Sequence, residues 1–264
     1  MKNLYLPKLR FYVKGFPEDA RYERQSAPES LEIARGTLYE TWYNCLKLSP
    51  YTEEAVHSGL WRSKKQQSTY EKFGDLVDTN FDSWWLERGF ELFKEKEDFK
   101  KIEVLDGARK KSCSKNLILE IPMTISPSTL KVQFDKLLQE HHPQYRNFDR
   151  WQFSTATEKL RSSRLTSASL NLYLRVFEQC SKNKKKHLYT IGEEMSLNPR
   201  FIVKRSDAPK DIPEKHEQMS LIVSDYLKKA KNLIAHASEG KFPCTDDHEW
   251  IERSTRVRRS RYGD

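Results

Sequence analysis

The stretch Met219-Ser-Leu-Ile-Val-Ser-Asp-Tyr-Leu-Lys-Lys-Ala-Lys-Asn-Leu-Ile-Ala-His-Ala237 carries apolar side chains at the spacing of one face of an α-helix. Gly240 follows at a position suited to end that helix. The apolar stripe is long and nearly unbroken, which is typical of a helix that packs against other helices. This stretch therefore predicts a long amphipathic helix and favours a mainly α-helical fold.

Helical patterns recur along the rest of the chain. Ser26-Ala-Pro-Glu29 has the form of a capping box, and the apolar residues after it predict one helix that ends at Ser49-Pro50. Ser126-Pro127 predicts the start of a later helix. Only residues 116–125 have the apolar pattern of a strand, and Pro122 within them favours an edge position. We therefore predict a mainly α fold with a minor β element.

The composition changes after Lys94 to a charged stretch without apolar periodicity, which is typical of a linker. A chain of 264 residues is long enough for one large domain or two small ones. We predict an aromatic-rich helical unit over residues 1–110 and a strand plus helical unit over 111–249. A basic tail is predicted over 250–264.

The aromatic-rich unit contains a pair of adjacent tryptophans. Asp82 is the expected N-cap of their helix. Trp85 shares a helical face with Gly89 and Leu92, so we expect its ring to be buried. Trp84 then points away from that face and is the candidate for a contact with a partner protein.

Residues 188–205, Leu-Tyr-Thr-Ile-Gly-Glu-Glu-Met-Ser-Leu-Asn-Pro-Arg-Phe-Ile-Val-Lys-Arg, have the pattern of a degenerate helix-turn-helix. Gly192 would let the second helix approach closely, and Asn198-Pro199 would begin that helix. Ser206-Asp-Ala-Pro209 shortens it, so binding without sequence recognition, or a purely structural role, is equally compatible with the pattern. The candidate DNA contacts on this segment are Asn198, Arg200, Lys204 and Arg205.

Basic residues surround the segment and extend to the C-terminus. The chain has a net charge of +9 and a pI near 9.2, and residues 181–264 hold 18 Lys and Arg against 13 Asp and Glu. Such a balance favours a polyanionic partner or an acidic protein surface. The candidate phosphate contacts before the helix-turn-helix pattern are Lys182, Lys184, Lys185 and Lys186. The tail residues that would bind a nucleic acid or an acidic protein are Arg253, Arg256, Arg258, Arg259 and Arg261.

The sequence offers no pattern typical of an enzyme, a metal site or a cofactor site. The four cysteines lie more than sixty residues apart, which favours reduced, scattered thiols. His141-His142 and Asp246-Asp-His-Glu249 have metal-binding residue types but lack a ligand spacing. No signal peptide or membrane-spanning run is predicted. We therefore expect a non-enzymatic, cytoplasmic bacterial protein without a cofactor, and without a membrane partner.

Six short segments carry a resemblance that extends over most of the chain: Leu48-Ser-Pro50, Phe73-Gly-Asp75, residues 81–93, Leu119-Glu-Ile-Pro122, residues 188–192 and Gly240-Lys-Phe-Pro243. Together they look like a loose group of uncharacterised proteins from proteobacterial integrative elements and from prophage-like or phage-satellite islands. The resemblance implies a mobile-element protein but no particular reaction. It leaves open a DNA-binding factor and an assembly factor for virus-like particles.

The leading functional hypothesis is a DNA-associated accessory or regulatory protein of a bacterial mobile element. The alternative is a structural or assembly protein, such as a scaffold that holds capsid proteins through the aromatic unit and the basic tail. A third hypothesis is an inhibitor of a phage or host protein. A homo-oligomer is compatible with all three.

Overall fold

The computed structural model describes residues 26–94, 119, 121–122, 124–142, 154–161 and 163–251. Over these residues the protein is mainly α-helical, as the sequence predicts. The α-helices are α1 (Ala27–Ala34), α2 (Leu38–Lys47), α3 (Pro50–Ser58), α4 (Lys64–Phe73), α5 (Phe81–Trp84), α6 (Phe90–Phe93), α7 (Pro127–His141), α8 (Ser167–Lys182), α9 (Leu188–Glu194) and α10 (Ile212–Ser238). A π-helical segment, Trp85–Gly89, joins α5 to α6, and a 3-10 turn, Pro199–Phe201, follows α9.

The chain forms two compact units, of which the larger is discontinuous in sequence. Residues 1–96 and 155–264 make the first unit, and residues 97–154 make the second. The described helices at both ends of the chain therefore belong to the same unit. The predicted boundary near residue 110 lies outside the described residues.

Helix α10 is the element around which the first unit is built. It contacts α8 and α9 and also α2, α3 and α4. From Ala230 to Ser238 every residue except Lys231 is buried. The Trp42 indole N–H of α2 donates to the Ala237 carbonyl oxygen at 3.2 Å. The predicted amphipathic helix is thus the long helix of the structure, and its last turns are enclosed on all sides.

Residues 155–161 are joined to this core by hydrogen bonds and an ion pair. The Glu158 backbone N–H donates to the Leu92 carbonyl oxygen at 2.9 Å, and the Arg161 N–H donates to the Phe242 carbonyl oxygen at 2.8 Å. The buried Glu158 carboxylate pairs with the Lys72 ammonium of α4 at 2.6 Å. A buried carboxylate needs such a partner, because desolvation of an unpaired charge is costly.

Several helix ends lie where the sequence places them. The Ser26–Glu29 capping box is present, and Ser126 caps α7 with Pro127 in its first turn. The predicted helix after Ser26 is interrupted, however, because Gly36 has a φ of +69° and separates α1 from α2. Such a backbone conformation is readily available to glycine and unfavourable for other residues.

The predicted cap at Asp82 is wrong. The side chain of Asn80 accepts the Ser83 backbone N–H at 2.8 Å and begins α5. Asp82 instead accepts two hydrogen bonds from the Arg35 guanidinium, at 3.0 Å from Nε and 2.5 Å from Nη2. The hydrogen bonds from Arg35 lower the pKa of the Asp82 carboxyl. This pair connects α5 to the end of α1.

The predicted exposure of Trp84 is also wrong, because both tryptophans are buried. Trp84 is 2% exposed and Trp85 is 0% exposed. Trp84 stacks on Phe73 and its indole N–H donates to the Phe73 carbonyl oxygen at 2.8 Å. The Trp85 indole N–H donates to the Ser30 hydroxyl at 2.9 Å. The helical segment over residues 81–93 lies between α1 and α4, so two of its faces are apolar. The Trp84 ring is therefore covered and has no exposed surface with which to contact a partner protein.

The predicted strand is not observed at the described positions. Of residues 116–125, the structure describes 119, 121, 122, 124 and 125, and none of them is in a strand. The others lie outside the described residues. In the second unit the described element is α7, which buries no residue.

The helix-turn-helix is not observed either. Its first helix is α9, but the second is a single 3-10 turn followed by turns and irregular chain as far as α10. The Val203 backbone N–H is bonded to the Glu193 carboxylate, and the Lys204 N–H is bonded to the Asp207 carboxylate. Since side chains take the amides that would continue a second helix, the helix ends after one turn.

We predict that truncation of either tryptophan to Ala destabilises the protein by about 3–5 kcal/mol, because both rings are enclosed. Leu86 in the same helix is 45% exposed. The control Leu86→Ala should cost about 0.5 kcal/mol or less. Denaturant unfolding monitored by circular dichroism measures all three changes. A Trp84→Ala variant as stable as Leu86→Ala would contradict the packing described above.

Candidate nucleic-acid interface

The turn between α8 and α9 presents the predicted lysines to solvent. Lys182 pairs with Glu178 at 2.9 Å, and Lys186 pairs with Glu194 at 2.7 Å. Lys184 and Lys185 lie between them, are exposed, and form no ion pair within the part of the chain that the structure describes. The turn therefore holds two lysines whose charge is not neutralised by any carboxylate among the described residues.

Gly192 allows α9, the helix that follows this turn, to pack closely against α10. A Cβ atom at Gly192 would lie 2.5 Å from the Met219 side chain and 2.9 Å from that of Val223, both on α10. Glycine thus permits the close approach that the sequence predicts, although the partner is α10 instead of a second short helix. Ile191 is buried next to it.

The predicted contacts after α9 lie on the 3-10 turn and on the irregular segment that follows it. The Asn198 side-chain oxygen accepts the Arg200 backbone N–H at 3.1 Å, so Asn198 acts as a cap. The Arg200 guanidinium is exposed and lies 5.6 Å from the centre of the Phe201 ring. Lys204 and Arg205 are exposed. These four residues do not share a helical face, so they lack the arrangement with which a recognition helix contacts base edges.

Asp207 attaches this irregular segment to α10. Its carboxylate accepts the Lys204 backbone N–H and pairs with Lys215 of α10, both at 2.6 Å. The hydrogen bond from Lys215, with that from Lys204, lowers the pKa of the Asp207 carboxyl. The chain between α9 and α10 is therefore held at a defined position.

Three aromatic rings stack next to the lysine turn. The Tyr189 ring lies 3.8 Å from that of His216 and 5.4 Å from that of His187, with interplanar angles of 11° and 9°. His187 directly follows the lysines and is exposed. The sequence analysis missed Tyr189 and His216, because His216 lies 27 residues further along the chain on a different helix and no local spacing connects the two.

A second polar cluster surrounds the C-terminal end of α10. His248 Nε2 lies 3.1 Å from Glu239 Oε2, and the Ser63 hydroxyl donates to Glu239 Oε1 at 2.6 Å. His248 Nδ1 accepts the Trp250 backbone N–H at 3.1 Å. Both nitrogens of His248 are thus occupied, and the imidazole faces Glu239 instead of the Ser63 hydroxyl. The cluster lacks the hydroxyl–imidazole contact of an activated serine nucleophile.

Burial and hydrogen bonding shift two pKa values in this cluster. Burial lowers the pKa of His236, and the nearby positive charge of Lys241 lowers it further. Burial alone would raise the pKa of the Glu239 carboxyl, but hydrogen bonds from Ser63 and His248 outweigh this effect and lower it. The fold therefore favours a neutral His236 and an ionised Glu239.

The start of the basic tail is attached to the same cluster. The Trp250 ring contacts those of His248 and Tyr51 at 4.7 and 5.3 Å, and the Arg62 guanidinium lies 5.8 Å from its centre. Arg253, Arg256, Arg258, Arg259 and Arg261 lie outside the described residues. The first residue of the predicted tail, Trp250, therefore belongs to the folded unit.

The described ranges contain neither a candidate metal site nor a candidate membrane-spanning helix. Within them, no group of three or more His, Cys, Asp or Glu residues is arranged to hold a metal ion. None of the helices described is long and apolar enough to cross a bilayer. The chain matches no known protein-family model, and no curated protein or solved structure is significantly similar to it.

We predict that acid destabilises the protein through His236 and then Glu239. The unfolded chain protonates a histidine below about pH 6.5, whereas the folded protein keeps His236 neutral to a lower pH, so the free energy of unfolding falls as pH drops below about 6.5. The lowered pKa of Glu239 adds a further loss as pH falls below about 4.3. His236→Gln should flatten the slope just below about pH 6.5, because glutamine cannot take up the proton.

Urea unfolding at several pH values measures that slope. The exposed His57 supplies the matched control, His57→Gln, which should keep the wild-type dependence. An unchanged slope in His236→Gln would show that His236 does not cause the effect.

We also predict that the tail can be removed only beyond Trp250. The reference is the chain that lacks residues 252–264, which keeps the Trp250 ring. Deletion of residues 250–264 should cost about 1–3 kcal/mol, less than the loss of a fully buried tryptophan, because the Trp250 ring is half-buried. Equal midpoints for the two truncations would mean that Trp250 does not stabilise the fold.

Proposed function

We propose that the protein is a non-enzymatic, DNA-associated accessory protein of a bacterial mobile element, and that it binds the phosphate backbone through the turn between α8 and α9. The mobile-element part of this proposal rests on the sequence resemblance. The DNA part rests on the charge and exposure of the turn.

The observation that supports DNA binding best is the contrast among the four lysines of the turn. Lys182 and Lys186 are neutralised by glutamates at 2.9 and 2.7 Å, whereas Lys184 and Lys185 are exposed without such partners in the described chain. Residues 182–215 hold nine Lys and Arg and five Asp and Glu, a net charge of +4. Lysines that lack a carboxylate partner are available to replace the counterions of a phosphate backbone.

The geometry favours binding without recognition of a base sequence. The segment expected to be a recognition helix is one 3-10 turn, and the amide oxygen of Asn198 is used by its own backbone. Phosphate contacts determine affinity and position but carry no direct sequence information. The proposed role is therefore that of a general DNA-binding factor.

The assembly hypothesis loses one of its two supports. Trp84, the candidate for a contact with a capsid protein, is buried in the aromatic core. The other support, the arginine-rich tail, lies outside the described residues. No described contact favours a capsid partner over DNA.

We predict that Lys184→Ala with Lys185→Ala weakens duplex DNA binding and reduces its salt dependence. Each lost phosphate contact should lower the slope of log affinity against log salt by about 0.9, so loss of both contacts should lower it by about 1.8. Fluorescence anisotropy with a labelled duplex over a range of salt concentrations measures both quantities. The variant's circular dichroism spectrum should match that of the wild type, because both side chains are exposed.

A second lysine pair provides the charge-matched control. Lys64 and Lys65 are adjacent and exposed at the start of α4. Their replacement by Ala removes the same charge at another element and should leave most of the affinity and slope. If the two double variants behave alike, net charge alone explains binding and the turn is not the interface.

A further inference from the structure

The rings of His187, Tyr189 and His216 form a continuous stack with one open end. Tyr189 is nearly parallel to both imidazoles, and the imidazoles make no ring contact with each other, so the tyrosine lies between them. His187 is exposed and contacts no other ring in the described part of the chain. The face of His187 that points away from Tyr189 is therefore available to another flat ring.

The two ends of the stack differ in their charged surroundings. The His216 end belongs to α10, on which Glu214 and Glu217 are exposed. The His187 end directly follows the lysine turn, where Lys184 and Lys185 form no ion pair with any residue that the structure describes. An anionic ligand with a flat ring is thus favoured at the His187 end and disfavoured at the other.

The stack is held in place by the packing of α9 against α10. Tyr189 is in the first turn of α9, and His216 is on α10, whose contact with α9 is close at Gly192. The ring of His187 consequently rests on a partly buried aromatic base instead of moving freely on a loop. A preorganised ring loses less conformational entropy when a ligand ring stacks on it.

We propose that this stack and the lysine turn bind single-stranded nucleic acid, with an unpaired base on the open face of His187 and its phosphates on Lys184 and Lys185. The proposal rests on the proposed function and specifies its ligand. In a duplex both faces of each internal base are covered by neighbouring bases, so only an unpaired base offers a free face. Combination of a basic surface with aromatic stacking is how proteins bind single strands without sequence preference.

The test compares an oligothymidylate of about 20 nucleotides with a duplex of the same length, both labelled, in about 50 mM salt. The full-length protein should bind the single strand more tightly than the duplex. His187→Ala should weaken binding of the single strand at least about five-fold, because one stacked base is lost, and should change duplex binding less than about two-fold. His187→Phe should restore single-strand binding, since it keeps the ring face and removes the ring nitrogens.

The exposed His57 again supplies the control, and His57→Ala should bind both probes as the wild type does. If His187→Ala binds the single strand with wild-type affinity while Lys184→Ala with Lys185→Ala loses affinity for both probes, the stacking site is refuted and the proposed function stands. Failure of His187→Phe to restore binding would also refute stacking. If the wild type binds neither probe, both proposals are wrong.

Discussion

The packing of helices from both ends of the sequence around the last turns of α10 is the constraint on which the rest of the larger unit depends. Trp42 of α2 is fully buried, stacks on Phe242 at 5.2 Å and donates its indole N–H to the Ala237 carbonyl oxygen. The hydroxyls of Ser49 and Ser238 meet at 2.9 Å. Large buried aromatic rings contribute several kcal/mol each, so separation of these segments would remove much of the core energy. The unit therefore requires both α2 and the segment that includes the end of α10 and Phe242.

Buried polar groups give this core a single arrangement. Ser63 belongs to the N-cap of α4, Glu239 to the end of α10, and His248 to the loop that follows. Each of them is bonded to the next, and an unbonded polar group at the same depth would cost free energy. The amide oxygen of Asn232 also accepts the His248 backbone N–H at 3.1 Å. Because a shifted α10 would break all of these bonds together, the network determines the axial position of the helix.

Helix α10 also determines how the lysine turn and the ring stack are positioned on the basic surface. The N-terminal half of α10 packs against α9 through Gly192 and leaves the lysine turn at the edge of the unit. After a single turn of 3-10 helix, the ion pair between Asp207 and Lys215 attaches the chain to α10. The segment between α9 and α10 therefore provides no second α-helix that could enter a DNA groove. The ring stack lies beside the lysines. A surface of this kind suits a phosphate backbone and exposed bases better than the edges of paired bases.

The sequence by itself determined what depends on residues close together in the chain: the helical class, the long α10, the caps at Ser26 and Ser126, and the close approach at Gly192. It also identified the exposed lysines, because a lysine run is a local property. Tertiary structure alone decided that Trp84 is buried, since helices from two sides cover the π-helical region, and that Asp82 pairs with Arg35 instead of capping a helix. It also decided that residues 198–205 make no second helix and that Tyr189 meets His216. The physical reason is that these outcomes depend on which side chains a residue contacts in the folded protein, and the helical periodicity of a segment reports which side chains share a face but not which groups cover or bond that face.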